Sequence, residues 1–235
     1  MIKTEKLTRT YGTEELPVLA LRGVSIHIKK GEFVGIMGRS GSGKSTLLHQ
    51  LGLLDTPTSG KLIIDKKNTK EFSNKEKSLF RLKNLGYVFQ EYALLPELTS
   101  IEAVSLPLMM IGLNSNECKI RATQALEAVE LGDRLNHLSY ELSGGEQQRV
   151  AIARAIVNTP KILFADEPCA NLDSESSDVI INLFKKLNKK LGQTIVMVSH
   201  EPEDKNEVDR VIWLKDGLLD NQQKGKQSLP PKIEY

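Results

Sequence analysis

The sequence predicts an α/β fold, with a core of buried parallel strands flanked by helices, an antiparallel β subdomain at the amino end and a helical subdomain inserted later. Three observations carry this prediction. Short runs rich in Ile, Val, Leu and Phe at 32–37, 162–165 and 194–198 have the continuous apolar character of strands buried on both faces. Each has a helical pattern beside it, at 44–54, 147–157 and 176–191 respectively, and such alternation is the mark of βαβ units. Each apolar run also leads directly into polar residues suited to chemistry, as expected at the carboxyl ends of parallel strands.

The other segments are read in order. Residues 1–30 differ from the core, because Tyr11-Gly12 and Leu16-Pro17 punctuate short strand-like pieces at 18–21 and 24–28, which predicts the antiparallel β subdomain. Between about 91 and 140 the pattern turns helical, with 102–109 and 118–130 as the helices expected there. Residues 220–235 carry Pro230-Pro231 and few large apolar groups, so a tail without its own core is expected. The whole is read as a single domain spanning 1–235.

Composition narrows the classes of function. The chain has 235 residues, 40% hydrophobic and 26% charged, enough to bury a core. Lys and Arg total 32 against 30 Asp and Glu, a formal charge of +2, which leaves no electrostatic footprint for direct nucleic-acid binding. The two cysteines, Cys118 and Cys169, lack the spacing of a zinc site or disulfide framework and fit a reducing compartment. The longest apolar stretch, 103–113, is interrupted by Pro107 and is too short to span a bilayer. Any membrane role is therefore expected to come through a partner. His27, His49 and His137 show no metal-ligand spacing and are read as structural or surface residues.

Gly38-Arg39-Ser40-Gly41-Ser42-Gly43-Lys44-Ser45 satisfies the full G-x-x-x-x-G-K-[ST] pattern and lies between an apolar strand and a helix, where a phosphate loop must lie. Glycines let successive backbone N–H groups face a β-phosphate, aided by the positive end of the following helix. Lys44 then supplies a point charge to the β- and γ-phosphates, and Ser45 offers a hydroxyl to Mg²⁺. The fold expected is thus a P-loop NTPase core. Ile162-Leu163-Phe164-Ala165-Asp166-Glu167 is a buried strand ending in two carboxylates, an expensive arrangement unless a cation or water is served there. Asp166 suits a water-mediated magnesium role. Glu167 can polarise a water for in-line attack on the γ-phosphate.

Leu142-Ser143-Gly144-Gly145-Glu146-Gln147-Gln148-Arg149 is the most specific signal in the chain. It resembles the signature sequence of the ABC ATPases and stands, as in that family, shortly before the Asp-Glu strand. Its physical logic is a second helix N-terminus, with Ser143 and the amides of Gly144 and Gly145 placed for a γ-phosphate. The resemblance implies a head-to-tail dimer, in which the signature of one copy closes the ATP held by the phosphate loop of the other. It covers nearly the whole chain. Gln90, in Tyr87-Val88-Phe89-Gln90, resembles the Q-loop glutamine that reaches metal and water. Asp173, in Asn171-Leu172-Asp173, resembles the D-loop aspartate that crosses the dimer interface. His200 resembles the switch histidine of the γ-phosphate, and Tyr11 the aromatic stacked on adenine; Thr46 joins the nucleotide-binding set with the phosphate loop. Cys169 departs from the family, standing where a threonine usually follows Asp-Glu-Pro, and Glu146 and Arg39 occupy variable positions.

The resemblance implies an ATP-binding and ATP-hydrolysing subunit that uses Mg²⁺, pairs with a second copy of itself, and drives a separate integral membrane permease from the cytoplasmic face. Leu94-Leu95-Pro96-Glu97-Leu98-Thr99 and Asp166 to Asp173 look like the lipoprotein-release, macrolide-export and cell-division type. The apolar load of 91–110 suggests a surface for the permease, with at least one of Tyr92, Leu94 or Leu95 partly exposed in the free subunit. Two other readings stand beside this. One is a non-transport ABC ATPase, coupling hydrolysis to mechanical signalling or to DNA repair and chromosome organisation, against which the short, heptad-free interval from Gln90 to Leu142 speaks. The other is a small-molecule kinase, which has no reason to carry a signature octet.

Overall fold

A computed structural model describes residues 1–224. The chain forms two compact units, Met1–Lys70 together with the segment from Val196 onward, and Glu71–Ile195.

The first unit opens with β1 (Ile2–Gly12), β2 (Pro17–Val24) and β3 (His27–Ile28). β1 pairs antiparallel with both of the others. Next come β4 (Phe33–Met37), α1 (Lys44–Leu51), β5 (Ser59–Ile64) and β6 (Lys67–Asn68). β5 adds to the other edge of β1, giving the order β2-β1-β5-β6. The antiparallel sheet therefore draws on residues well beyond the 1–30 expected to form it, because β5 and β6 return across a separation that no local pattern marks. β1 and β2 bury Ile2, Leu7, Leu21 and Val24. All five residues of β4 are buried, as a strand covered on both faces requires. α1 stops at Leu51 rather than reaching 54 because Gly52 caps it and Leu53 turns to a positive φ of 58°.

The second unit begins with α2 (Asn74–Asn84), β7 (Leu85–Val88), α3 (Ser100–Met110) and α4 (Ser115–Ala128). It continues through α5 (Gly144–Ile156), β8 (Ile162–Asp166) and α6 (Ser174–Leu191). β7 and β8 run parallel, with Tyr87 opposite Phe164. α3 packs on α4 and α5, burying Val104, Leu108, Ala122, Leu126, Val150 and Ala151. Four of these helices begin with a side-chain cap closed three residues later by an acid, at Ser73–Glu76, Thr99–Glu102, Asn114–Glu117 and Ser143–Glu146. Such boxes satisfy orphan N–H groups reciprocally.

β9 (Thr194–Val198) is buried throughout and carries the chain back into the first unit. There β10 (Arg210–Lys215) pairs parallel with β4, placing Ile212 opposite Ile36, and antiparallel with β11 (Leu218–Lys224). The segment expected as a coreless tail from Asp220 is thus a strand up to Lys224. Backbone pairing with β10 makes it one without demanding apolar side chains. The remainder of that expected tail, 225–235, lies outside the described residues.

Candidate functional site

In the first unit, β4 delivers Gly38 and the loop into α1. Gly43 caps this helix in the left-handed region, φ 97°, and a Cβ there would stand 2.5 Å from the Ala20 carbonyl oxygen, so only glycine fits. No side chain caps α1 and no acid occupies its first turn, so the positive end of its dipole suits an anion. Lys44 is buried, and its Nζ donates to the Arg39 carbonyl at 3.2 Å. The buried Ser42 Oγ has no hydrogen-bond partner, a costly state that a bound oxyanion would relieve. Arg39, Ser40 and Gly41 are exposed, while Ser45 and Thr46 are half-buried in the first turn of α1. This cradle fits a polyphosphate.

His200 follows β9, and the preceding Ser199 amide donates to the Ile36 carbonyl of β4 at 3.2 Å. His200 is exposed, with Nε2 3.1 Å from Glu201 Oε1. Tyr11, at the end of β1, has the Arg9 guanidinium 4.3 Å from its ring centroid and donates its hydroxyl to Asp55 at 2.8 Å. Arg9 also pairs with Asp55 at 2.7 Å. Burial works against the Asp55 charge, but the hydrogen bonds from Tyr11 and Thr56 and the nearby guanidinium hold its carboxyl below the ordinary value.

In the second unit, β8 ends at Asp166 and Glu167, both half-buried. Glu167 sits at φ 45°, a conformation that a non-glycine residue keeps only when its surroundings fix it. Burial, and then the negative charge of Asp166, push the Tyr87 phenol well above its usual range. The Gln148 amide, fully buried on α5, donates to the Pro168 carbonyl at 2.6 Å. Gln90 is exposed, and its carbonyl accepts from Asn171 Nδ2 at 3.3 Å.

Ser143 caps α5, accepting from the Glu146 amide at 3.3 Å while the Glu146 carboxylate accepts from the Ser143 amide at 2.9 Å and from Arg134 at 3.1 Å. The position that looked merely variable in the sequence thus completes a cap. Gly144 is half-buried, and Gly145 is buried where a Cβ would stand 2.9 Å from Ser176 Oγ. Asp173 caps α6 within its own chain, accepting from the Ser176 amide at 2.8 Å, and these backbone and hydroxyl bonds hold its carboxyl low. Cys169 is a half-buried thiol. Ser45, Gln90 and Asp166 offer only hard oxygen donors, and among the described residues no cluster of three His, Cys, Asp or Glu could hold a metal. Oxygen donors of this kind, taken one by one, are the ligand type that Mg²⁺ accepts.

The family model described as ABC transporter matches residues 21–170. The chain belongs to the ABC transporter family. The lipoprotein-releasing system ATP-binding protein LolD of Aquifex aeolicus is 51% identical, over 85% of this chain and 88% of its own length. The macrolide export ATP-binding/permease protein MacB of Rhodopirellula baltica is 44% identical over 93% of this chain but only 32% of its own length. Among solved structures, a dimeric post-hydrolysis state of the ATP-binding cassette MJ0796 bound to ADP and Pi superposes with a TM-score of 0.89 at 43% identity, covering 95% of this chain and 98% of that one. As an ABC ATP-binding subunit resembling those of the lipoprotein-release and macrolide-export type, the chain is an ATPase of a transport complex. No helix among the described residues is long and apolar enough to cross a membrane.

Two side chains that the motifs did not single out bear on the site. Gln148 holds the backbone after Glu167, and Arg154 holds the loop after Gln90. The available signal was a polar residue at an apolar helix position: Arg154 stands between Ala153 and Ala155.

Proposed function

We propose that two copies of this ABC subunit close head to tail around two Mg·ATP, hydrolyse them and reopen, driving a separate membrane permease from the cytoplasmic face. The observation that carries this reading is that one chain bears the uncapped, acid-free N-terminus of α1 behind the loop ending at Lys44 and Ser45 and a second helix, α5, whose first two residues are glycines, Gly144 and Gly145, whose amides lie outside the Ser143–Glu146 cap. A single nucleotide needs one phosphate loop, so a second such terminus calls for a second copy. The dimer of the related cassette with ADP and Pi supports an assembly of two copies.

In this reading Gly38 to Thr46 wrap the phosphates of one nucleotide, with Lys44 as their fixed positive charge, and Tyr11 lies against the adenine. Ser45, Gln90 and Asp166 would hold Mg²⁺, which would neutralise the phosphate oxygens. Glu167 takes the proton of the attacking water that Gln90 helps to orient, and His200 donates to the γ-phosphate. Asp173 meets the partner copy across the interface.

The permease surface is proposed on the second unit. Leu95 is 54% exposed, and Met109 and Met110 stand out at 61% and 72%. Leu98, Ile101, Leu106 and Met109 line a groove of 660 Å³ there, suited to an apolar helix face.

Glu167→Gln keeps the shape of the carboxylate and removes the base. It is expected to bind ATP, to hydrolyse it at least about a hundredfold more slowly, and to elute as a dimer under saturating Mg·ATP. Elution of the variant only as a monomer would overturn the interfacial site.

A further inference from the structure

Residues 89–93 form a short, sharply folded loop. The Tyr92 amide closes a turn onto the Phe89 carbonyl at 3.3 Å, and both Tyr92 and Ala93 then take left-handed backbones, φ 57° and 52°. Two consecutive non-glycine residues do not hold such values by preference and persist only where neighbouring groups fix them. Two side chains do so. Asn171 Nδ2 donates to the Gln90 carbonyl at 3.3 Å. Arg154, from the carboxyl half of α5, donates Nη2 to the Tyr92 carbonyl at 2.9 Å and Nη1 to the Ala93 carbonyl. A planar guanidinium can span two adjacent carbonyl oxygens in a fixed fork, which an ammonium cannot. Burial lowers the affinity of Arg154 for its proton, so the two carbonyls are also what compensate a charge taken out of water.

We infer that Arg154 is a positioning residue for Gln90, locking the loop that carries this glutamine to the helix whose N-terminus is the signature. The inference rests on the reading of Gln90 as the residue that serves metal and water. The contact joins residues 61 and 62 positions apart in sequence, and both ends of α5 are engaged: a Cβ at Gly144 would lie 3.0 Å from the hydroxyl of the same Tyr92.

The test is steady-state ATP hydrolysis by the full chain carrying Arg154→Lys, alone and in a Gln90→Ala background, with thermal unfolding and Mg·ATP binding measured on each. Arg154→Lys is expected to lower kcat about tenfold while KM and nucleotide affinity stay within about twofold, and to lower kcat less than about twofold once Gln90 is already alanine. Arg154→Gln, which keeps a donor and drops the charge, serves where the lysine variant does not fold. Equal losses in the two backgrounds, or a loss that only follows the fraction unfolded, would overturn the positioning role while leaving that of Gln90 intact. Full activity of Gln90→Ala alone would overturn the reading of Gln90 and this inference with it.

Discussion

The amide of Gln148 and the carbonyl of Pro168 lie 2.6 Å apart, tying the middle of the signature helix to the residue that follows Glu167. The donor is fully buried, so the bond is made in a region where an unpaired carbonyl is expensive. It braces the left-handed backbone of Glu167 one residue upstream.

Gln148→Ala is therefore expected to cost about 1–3 kcal/mol of stability, read as a lower midpoint in denaturant unfolding. Because the bond also fixes the turn that carries Glu167, the general base in the proposed reading, kcat should fall in the folded variant beyond any change in KM. A variant that unfolds at the wild-type midpoint would show that water replaces the lost donor.

The Glu146 carboxyl is held below the ordinary glutamate value, first by the Ser143 amide and, against the opposing effect of burial that ranks next, also by the Ser143 hydroxyl and Arg134. A carboxyl lowered in the folded state contributes stability that is complete above its unfolded value and is lost as pH falls through its folded value. Glu146→Gln keeps the capping geometry without the titration. Unfolding free energy followed from pH 6 down to pH 3 should fall less steeply for the variant, by about 1 kcal/mol or less over that range. Parallel curves for the two proteins would remove Glu146 as a source of the acid dependence.

Leu95 presents more than half of its surface, and a charge there meets solvent in the free subunit. Leu95→Glu should leave the unfolding midpoint within about 0.5 kcal/mol of wild type and soluble ATPase activity unchanged. In the assembled complex, stimulation of ATPase by the permease and cargo movement should both be lost. A complex that assembles and transports at the normal rate with this substitution places the coupling surface elsewhere.

The sequence by itself determined the parts whose chemistry needs consecutive residues. A phosphate loop, a strand ending in Asp166-Glu167 and a helix opening at Ser143-Gly144-Gly145 are local objects, because successive amides or the last residues of one strand make them. Their order along the chain also named the family. The helix α2 left a signal of the same local kind, the Ser73–Glu76 cap, yet its mostly polar residues offer only Phe80 to the core, so apolar periodicity passed over it.

Only the tertiary structure decided what joins distant segments. The pairing of β5 with β1 brings Ile64 opposite Ile2, and neither strand announces the other. β11 carries Asn221, Gln222 and Gln223 opposite Trp213, Ile212 and Val211, held by backbone bonds that any side chain permits. The same holds for the bonds from Gln148 and Arg154 and the positive φ of Glu167, Tyr92 and Ala93. These are settled by which carbonyls stand within about 3 Å of which donors once the chain has packed, and spacing along the sequence carries no record of that distance.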